Sequence, residues 1–281
     1  MNRRPLLLCT DLDRTLIPNG CEPESPEARP WLRRLVAEPD VTLVYVTGRH
    51  RALVEAAIAE YDLPVPDYVI GDVGTSLHAI VDGVWERVPD WETEIATDWA
   101  GPADIADWLA DFDGLRMQER EKQGPFKLSY YTPADLDPEA LRAQIRERLE
   151  RHAVRANLIW SVDEAAGVGL LDILPVNASK RHAIEFLMCR IGRGLDTTLF
   201  AGDSGNDLEV LVSPVHSILV ANAHPEVRDM AVAQSRELDL ADWLYCAQGG
   251  WRGLNGNYGA GILEGVAHFR PDLADRIGGL E

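Results

Sequence analysis

Leu6-Leu7-Leu8-Cys9-Thr10-Asp11-Leu12-Asp13-Arg14-Thr15-Leu16 is an apolar run that ends abruptly in two carboxylates one residue apart, followed by a threonine. A short leucine run closed by a polar break suits a buried parallel strand, and ligands in open α/β sheets sit just beyond the carboxyl ends of such strands. Asp11 and Asp13 are expected to stand together there. Two carboxylates that close repel each other unless a cation lies between them or one takes up a proton, which points to Mg²⁺ and to acid-base chemistry. Taken alone, the segment reads more readily as a solvated Asp-x-Asp turn, since aspartate is a common turn former.

Three further segments change that balance. Val41 to Val46 is a β-branched apolar run that stops at Thr47-Gly48-Arg49, where a hydroxyl and backbone N–H groups can cradle a phosphate. Asn177-Ala178-Ser179-Lys180 precedes a helical-looking stretch and places a lysine near a helix N-terminus, against the dipole preference for a carboxylate. Thr198-Leu199-Phe200-Ala201 leads into Gly202-Asp203-Ser204-Gly205-Asn206-Asp207, a turn acidic enough to be costly without a cation.

In this order the four segments resemble the motifs of the haloacid dehalogenase superfamily of phosphatases. The resemblance implies a doubly wound, mostly parallel α/β sheet, Rossmann-like, with an inserted α+β cap. It assigns Asp11 as the nucleophile that forms an aspartyl-phosphate, and Asp13 as the acid that protonates the leaving oxygen and later activates water. Both roles are physically sound, because a covalent intermediate splits one hard displacement into two, and a group that gives a proton first holds the base form afterwards. It further implies Mg²⁺ on the carboxylates of Asp11 and Asp203 and the backbone carbonyl of Asp13. Thr47, Gly48, Lys180 and Asn206 would hold the phosphoryl oxygens, and Asp207 would orient Lys180 or a metal-bound water. Arg14 stands where glycine or asparagine is more usual, which leaves the shape of that turn open.

Composition sets the remaining bounds. A chain of 281 residues, 46% hydrophobic, is long enough for one large domain or a domain carrying an inserted module. A net charge of −19 argues against nucleic acid or an anionic membrane as partner. Cys9, Cys21, Cys189 and Cys246 show no CxxC spacing and are expected to be small buried hydrophobes. With no stretch approaching the ~18 apolar residues of a membrane span, a cytoplasmic protein is expected. The glycine-rich segment Gly249 to Gly261 lacks dinucleotide-binding spacing, follows no convincing strand, and reads as a loop capping a helix.

About half the chain separates Arg49 from Asn177, too much for a loop in a doubly wound sheet. Residues 68–81 still look like sheet and hairpin of the first domain. Beyond them, Pro102 to Leu109 is helical, Leu115 to Gln118 and Phe126 to Tyr131 are strand-like, and Pro138 to Arg151 carries Leu141, Ile145 and Leu149 four apart on a charged helix. Strand-like stretches at 156–162 and 169–174 complete the pattern. The expected division is a core of 1–87 with 165–281, and a cap of 88–164.

Within the cap, Glu119 to Tyr130 resembles the segment of sucrose-phosphate phosphatases whose Pro-aromatic-Lys-x-Ser run carries sugar-binding groups. Tyr258 to Phe269 is similar to the closing helix of those enzymes and of mannosylfructose-phosphate phosphatases. Glu119, Gln123, Lys127 and Ser129 are therefore expected to meet the hydroxyls of a disaccharide phosphate. A sugar-phosphate synthase is the one protein partner that the resemblance suggests. Two alternatives stay open at this point, a phosphomutase of the phosphomannomutase type and a non-catalytic phosphatase-like partner of a synthase.

Overall fold

In the computed structural model, which describes residues 4–133, 135–163 and 166–277, the leucine run forms β1 (Leu6–Thr10), paired on both sides by parallel strands. Its side chains alternate between two apolar layers, Leu6 and Leu8 in one and Leu7 and Cys9 in the other. A strand that buries both faces has no room for polar alternation, which is why this segment reads as a continuous apolar run.

The neighbours of β1 are β2 (Val41–Val46) and β10 (Thr198–Gly202). Outward from β2 come β3 (Tyr68–Gly71) and then β4 (Ser76–Val81) and β5 (Val84–Arg87), the last two antiparallel; outward from β10 come β11 (His216–Leu219) and β12 (Leu244–Cys246). The result is an eight-stranded sheet in the order β12-β11-β10-β1-β2-β3-β4-β5. Helices α1 (Ala28–Val36) and α2 (Arg51–Glu60) cover one face. Three helices, α3 (Pro89–Ile95), the four-residue α7 (Leu208–Leu211) and the longer α8 (Pro225–Glu237), contribute to the other. The doubly wound α/β core expected from the motif order is what the chain builds.

A second sheet, in the order β6-β7-β9-β8, comprises β6 (Arg116–Met117), β7 (Leu128–Pro133), β8 (Ala156–Asp163) and β9 (Val168–Pro175). One face packs on α4 (Pro102–Trp108) and α5 (Pro138–Glu150) through Ile105, Leu141, Ile145, Leu158, Leu171 and Ile173. Asp137 caps α5 by accepting from the Glu139 and Ala140 N–H groups, and the four-residue spacing read from the sequence is the buried stripe.

The expected cap limits need correction at both ends. Trp91 and Ile95 of α3 are fully buried in the core's second layer, so residues just past 88 pack with the core. Strand β9 pairs with β7 and β8 through Pro175, so a division at 164, which itself lies outside the described residues, would part β8 from β9. The apolar runs on both sides of that limit look alike in sequence, and only the pairing assigns them.

The cysteines also differ from expectation. Cys9 is buried, but Cys21 and Cys189 are exposed and Cys246 is half-buried, all as free thiols. The glycine-rich segment does follow a strand, the three-residue β12, too short to show an apolar period. It opens α9 (Gly259–Phe269), preceding by way of Arg270 a short last helix at Pro271–Ile277. Buried Glu264 of α9 accepts from the N–H groups of Gln248 and Gly249 and from the Tyr245 hydroxyl, which pins this loop. No described helix is long and apolar enough to cross a membrane.

Candidate active site

Asp11, Thr47 and Asp203 each follow directly on the last residue of three adjacent parallel strands, β1, β2 and β10. Pairing sets Thr10 beside Tyr45 and Ala201, so Thr47 and Asp203 stand one residue beyond Asp11 at the same edge of the sheet. Asp11 continues the ladder through its N–H to the Ala201 carbonyl at 2.8 Å. The chain then turns, with the N–H groups of Thr15, Leu16 and Ile17 all reaching the Leu12 carbonyl. Leu12, Leu16 and Ile17 are buried in the first apolar layer and anchor that turn.

The lysine arrives on a sixth helix, α6 (Lys180–Arg190), whose cap Ser179 accepts from the His182 N–H. Lys180 Nζ donates to Asp11 Oδ1 at 3.1 Å, to Asn206 Oδ1 at 2.7 Å and to Asp207 Oδ1 at 2.7 Å. Asp207 Oδ2 accepts from the N–H groups of Asp203 and Ser204. Two glycines make this approach possible. A Cβ on Gly202 would stand 2.7 Å from the Asp207 carboxylate, and one on Gly74 would lie 2.4 Å from the Ser179 backbone.

Asp11, Asp203 and Asp207 are all buried, and their carboxylate oxygens lie within 4.8 Å of one another. Burial pushes Asp11 well above the usual carboxylate range, Lys180 works against this, and Asp207, Asp203 and Asp13 add to it. Asp203 is pushed up to about 7, by burial first and by Asp207 second. Burial works against the Lys180 ammonium too, but Asp11 and Asp207 outweigh it and hold the pKa above the ordinary lysine value. Lys180 and the partly exposed Arg14 guanidinium against three buried carboxylates leave the cluster short of positive charge, and its donors are oxygens alone. Such a set fits Mg²⁺, which takes oxygen ligands and keeps several waters.

Asp13 is placed differently from Asp11. Its carboxylate faces Arg49, which donates through Nε at 2.8 Å and Nη2 at 2.6 Å, and Asn19 adds a third hydrogen bond at 2.7 Å. Burial alone would raise its pKa, but the Arg49 fork and Asn19 outweigh burial and hold it below the usual range. Arg14 adopts the left-handed conformation, φ 56°, for which glycine or asparagine is suited. The turn thus keeps its shape with an arginine in place. Thr15 donates its hydroxyl to Asp203 Oδ1 at 3.0 Å, a contact that the sequence did not disclose.

Asp11, Asp13, Thr47, Arg49, Asp203 and Asn206 form the floor of a cleft of about 340 Å³, roofed by the open face of the second sheet. Lys127 lies in it, buried, with Nζ 3.8 Å from Asp72 of the core and 4.0 Å from Asp172 of β9. The other three expected cap residues are not among the cleft's lining. Gln123 spends its amide on the backbone, donating to the carbonyls of Gln118 and Ser129 and accepting from the Ser129 N–H. Ser129 is fully buried and donates its hydroxyl to Asp172. Glu119 is exposed and accepts from the Tyr131 hydroxyl at 2.8 Å. Sequence reasoning missed Gln118, Lys122, Ser161 and Asp172, which do line the cleft. The signal was the alternation along β9, where Leu171 and Ile173 bury into the cap and Leu170 and Asp172 must therefore face the other way.

A mostly parallel sheet with an aspartate pair, a threonine, a lysine and an acidic turn at its strand ends, under an α+β cap, defines a phosphatase of the haloacid dehalogenase type. Residues 4–270 match the family model described as sucrose-6F-phosphate phosphohydrolase, and the chain belongs to that family. It is 53% identical over 272 residues to a putative HAD-like hydrolase of Nitrosococcus oceani, covering 96% of this chain and 73% of the relative. It is 33% identical over 235 residues to a mannosylfructose-phosphate phosphatase of Agrobacterium fabrum, covering 83% of this chain and 90% of the relative. Among solved structures, the sucrose-phosphatase of Synechocystis sp., in complex with sucrose and phosphate, shares the fold with a TM-score of 0.75 at 24% identity, over 95% of this chain and 98% of that one. The family this chain belongs to is one of phosphoric monoester hydrolases.

Proposed function

We propose that this protein hydrolyses a disaccharide phosphate, of the sucrose-phosphate or mannosylfructose-phosphate type, through an aspartyl-phosphate on Asp11, with Mg²⁺ held by Asp11, Asp203 and the Asp13 carbonyl. The observation that carries the reading is the contact of Lys180 with Asp11, Asn206 and Asp207 beside Thr47, at the ends of adjacent strands. When bound, the cation neutralises charge on the phosphoryl oxygens. Asp11 Oδ attacks phosphorus, and the sugar oxygen leaves with a proton from Asp13. Lys180 and the Thr47 hydroxyl steady the oxygens in transfer, while Asp207 orients Lys180. Asp13 as found, gripped by Arg49, is ionised, the form that activates water in the second step. Its service as acid in the first step requires that grip to be broken when the sugar enters.

We further place the cap between the end of α3 and the end of β9, with Lys127 as its sugar-facing cation. The names of the family and of the Agrobacterium fabrum relative support the disaccharide. The free, exposed thiols of Cys21 and Cys189 support a reducing compartment, so a cytoplasmic location stays part of the proposal. A sugar-phosphate synthase remains the proposed protein partner.

The test is phosphate release with Mg²⁺ over a panel of sugar phosphates ranked by kcat/KM, since discrimination is a difference in transition-state binding. Disaccharide phosphates should lead the panel. Higher efficiency on monosaccharide phosphates would overturn the substrate assignment.

A further inference from the structure

Arg14 pays for a left-handed backbone, and the contacts around it show what holds it there. Its N–H donates to Asn19 Oδ1 at 2.8 Å, and its carbonyl accepts from Asn222 Nδ2 at 2.6 Å. The side chain reaches back over the acidic cluster, with Nε 3.5 Å from Asp203 Oδ2. Its Nη2 donates to the Asn222 carbonyl at 3.3 Å and stands 3.9 Å from Glu22 Oε1. Glu22 is fixed in turn by the Tyr258 hydroxyl, and the Tyr258 N–H donates to Asn222 Oδ1. The guanidinium therefore lies between two carboxylates, Asp203 in the cluster and Glu22 outside it.

The oxygens of Asp203 and Asp207 show why this matters. Both oxygens of Asp207 are taken, by Lys180 and by the N–H groups of Asp203 and Ser204. On Asp203, Oδ1 accepts from Thr15, which leaves Oδ2 as the oxygen open to a cation, and Oδ2 is the one that Arg14 faces. A divalent ion bound at Oδ2 and a guanidinium 3.5 Å from the same atom repel each other, across a carboxylate that is buried although the guanidinium itself is partly exposed.

We propose that Arg14 is an internal competitor for the divalent cation. Its guanidinium compensates Asp203 when no metal is bound and turns toward Glu22 when metal binds, so that this one side chain sets the protein's affinity for Mg²⁺. The inference rests on the metal reading made above, and its test separates the two. Arg14 is a positioning residue in this account and needs no contact with the substrate.

The experiment measures Mn²⁺ binding to the full-length protein without substrate, from the electron paramagnetic resonance signal of the free ion. The parent is compared with Arg14→Gly, Glu22→Gln and Asp203→Asn. Glycine suits the φ at position 14, so Arg14→Gly keeps the fold, which a thermal melt checks. Arg14→Gly should bind Mn²⁺ about tenfold more tightly, because a nearby positive charge has gone. Glu22→Gln should bind it more weakly than the parent, because the guanidinium loses its second seat, and should make no difference in the Arg14→Gly background. Unchanged or weaker binding by Arg14→Gly, with binding abolished in Asp203→Asn, would overturn the role of Arg14 and leave the metal site standing. Parent-like binding by Asp203→Asn would overturn the metal site itself.

Discussion

Arg49 holds Asp13 with two parallel hydrogen bonds, Nε to Oδ2 at 2.8 Å and Nη2 to Oδ1 at 2.6 Å, and thereby turns the second aspartate of the motif away from the first. A planar fork on a carboxylate makes two charge-assisted hydrogen bonds, each stronger than a neutral one. It favours the ionised carboxylate, whereas protonating a leaving sugar needs the acid.

Removing the fork should therefore let Asp13 keep its proton to higher pH. Asp13 lies below the usual range because Arg49 and Asn19 stabilise its anion against burial. In Arg49→Met the alkaline limb of kcat/KM, where the acid has lost its proton, is expected to move upward. An unmoved limb would show that Asp13 does not set it.

Asp11→Asn should abolish turnover and yet leave the metal-free protein at least as stable. The raised pKa of Asp11 means that its anion is unfavourable in the fold, so stability tied to it falls as pH rises and the group ionises. Removing that charge is expected to leave Tm no lower than the parent's. Asp207→Ala does the reverse, leaving buried Lys180 with less compensation at a cost of about 3–5 kcal/mol. Denaturant melts without metal distinguish the two signs. Asp11→Asn activity within tenfold of the parent would end the covalent route.

Chelation should remove activity and Mg²⁺ restore it, while Ca²⁺ should bind and support turnover poorly, since it prefers more ligands at longer distance. Asp203→Ala is expected to raise the Mg²⁺ concentration needed for half-maximal rate by at least about tenfold. Full activity in excess chelator would be decisive against a metal.

The cap residues should separate by where they point. Lys127→Ala is expected to lower kcat/KM on the disaccharide phosphate by about ten- to a hundredfold and hardly to touch a small aryl phosphate. Glu119→Gln should change neither. Gln123→Ala should leave the ratio of the two substrates alone and reduce stability by about 1 kcal/mol, because its amide serves the backbone at 118 and 129. Equal loss on both substrates in Lys127→Ala would show that it acts through folding or closure.

The contrast between core and cap explains what could be read from the chain alone. Asp11, Thr47 and Asp203 announce themselves because each follows an apolar strand directly, and a parallel sheet sets strand ends side by side whatever the loops do. Asp207 and Lys180 are close in space only because Gly202 and Gly74 let backbone and carboxylate approach, yet each lies in a segment already conspicuous for its charge. The cap offers no such shortcut. Gln123 and Ser129 carry groups suited to a sugar, but the loop before β7 has backbone groups of its own to satisfy, and it takes both side chains inward. Asp172 falls inside the strand-like stretch at 169–174 and is its cleft-facing position. The limit at 164 failed for a related reason, since two apolar stretches joined by a turn do not say which sheet they join.

The centre of the large sheet also fixes when the molecule becomes an enzyme. β1 is made shortly before β2, but β10, on the other flank of β1, is made only after the strands of the second sheet. Lys180 lies 169 residues beyond the aspartate it binds. A nascent chain that stops short of α6 thus holds Asp11 without its lysine, its acidic turn or its third strand, and the site cannot close until those segments have been made. Catalysis in a translation reaction would then appear only once α6 and β10 have been made, a direct readout of the moment those pieces close around Asp11.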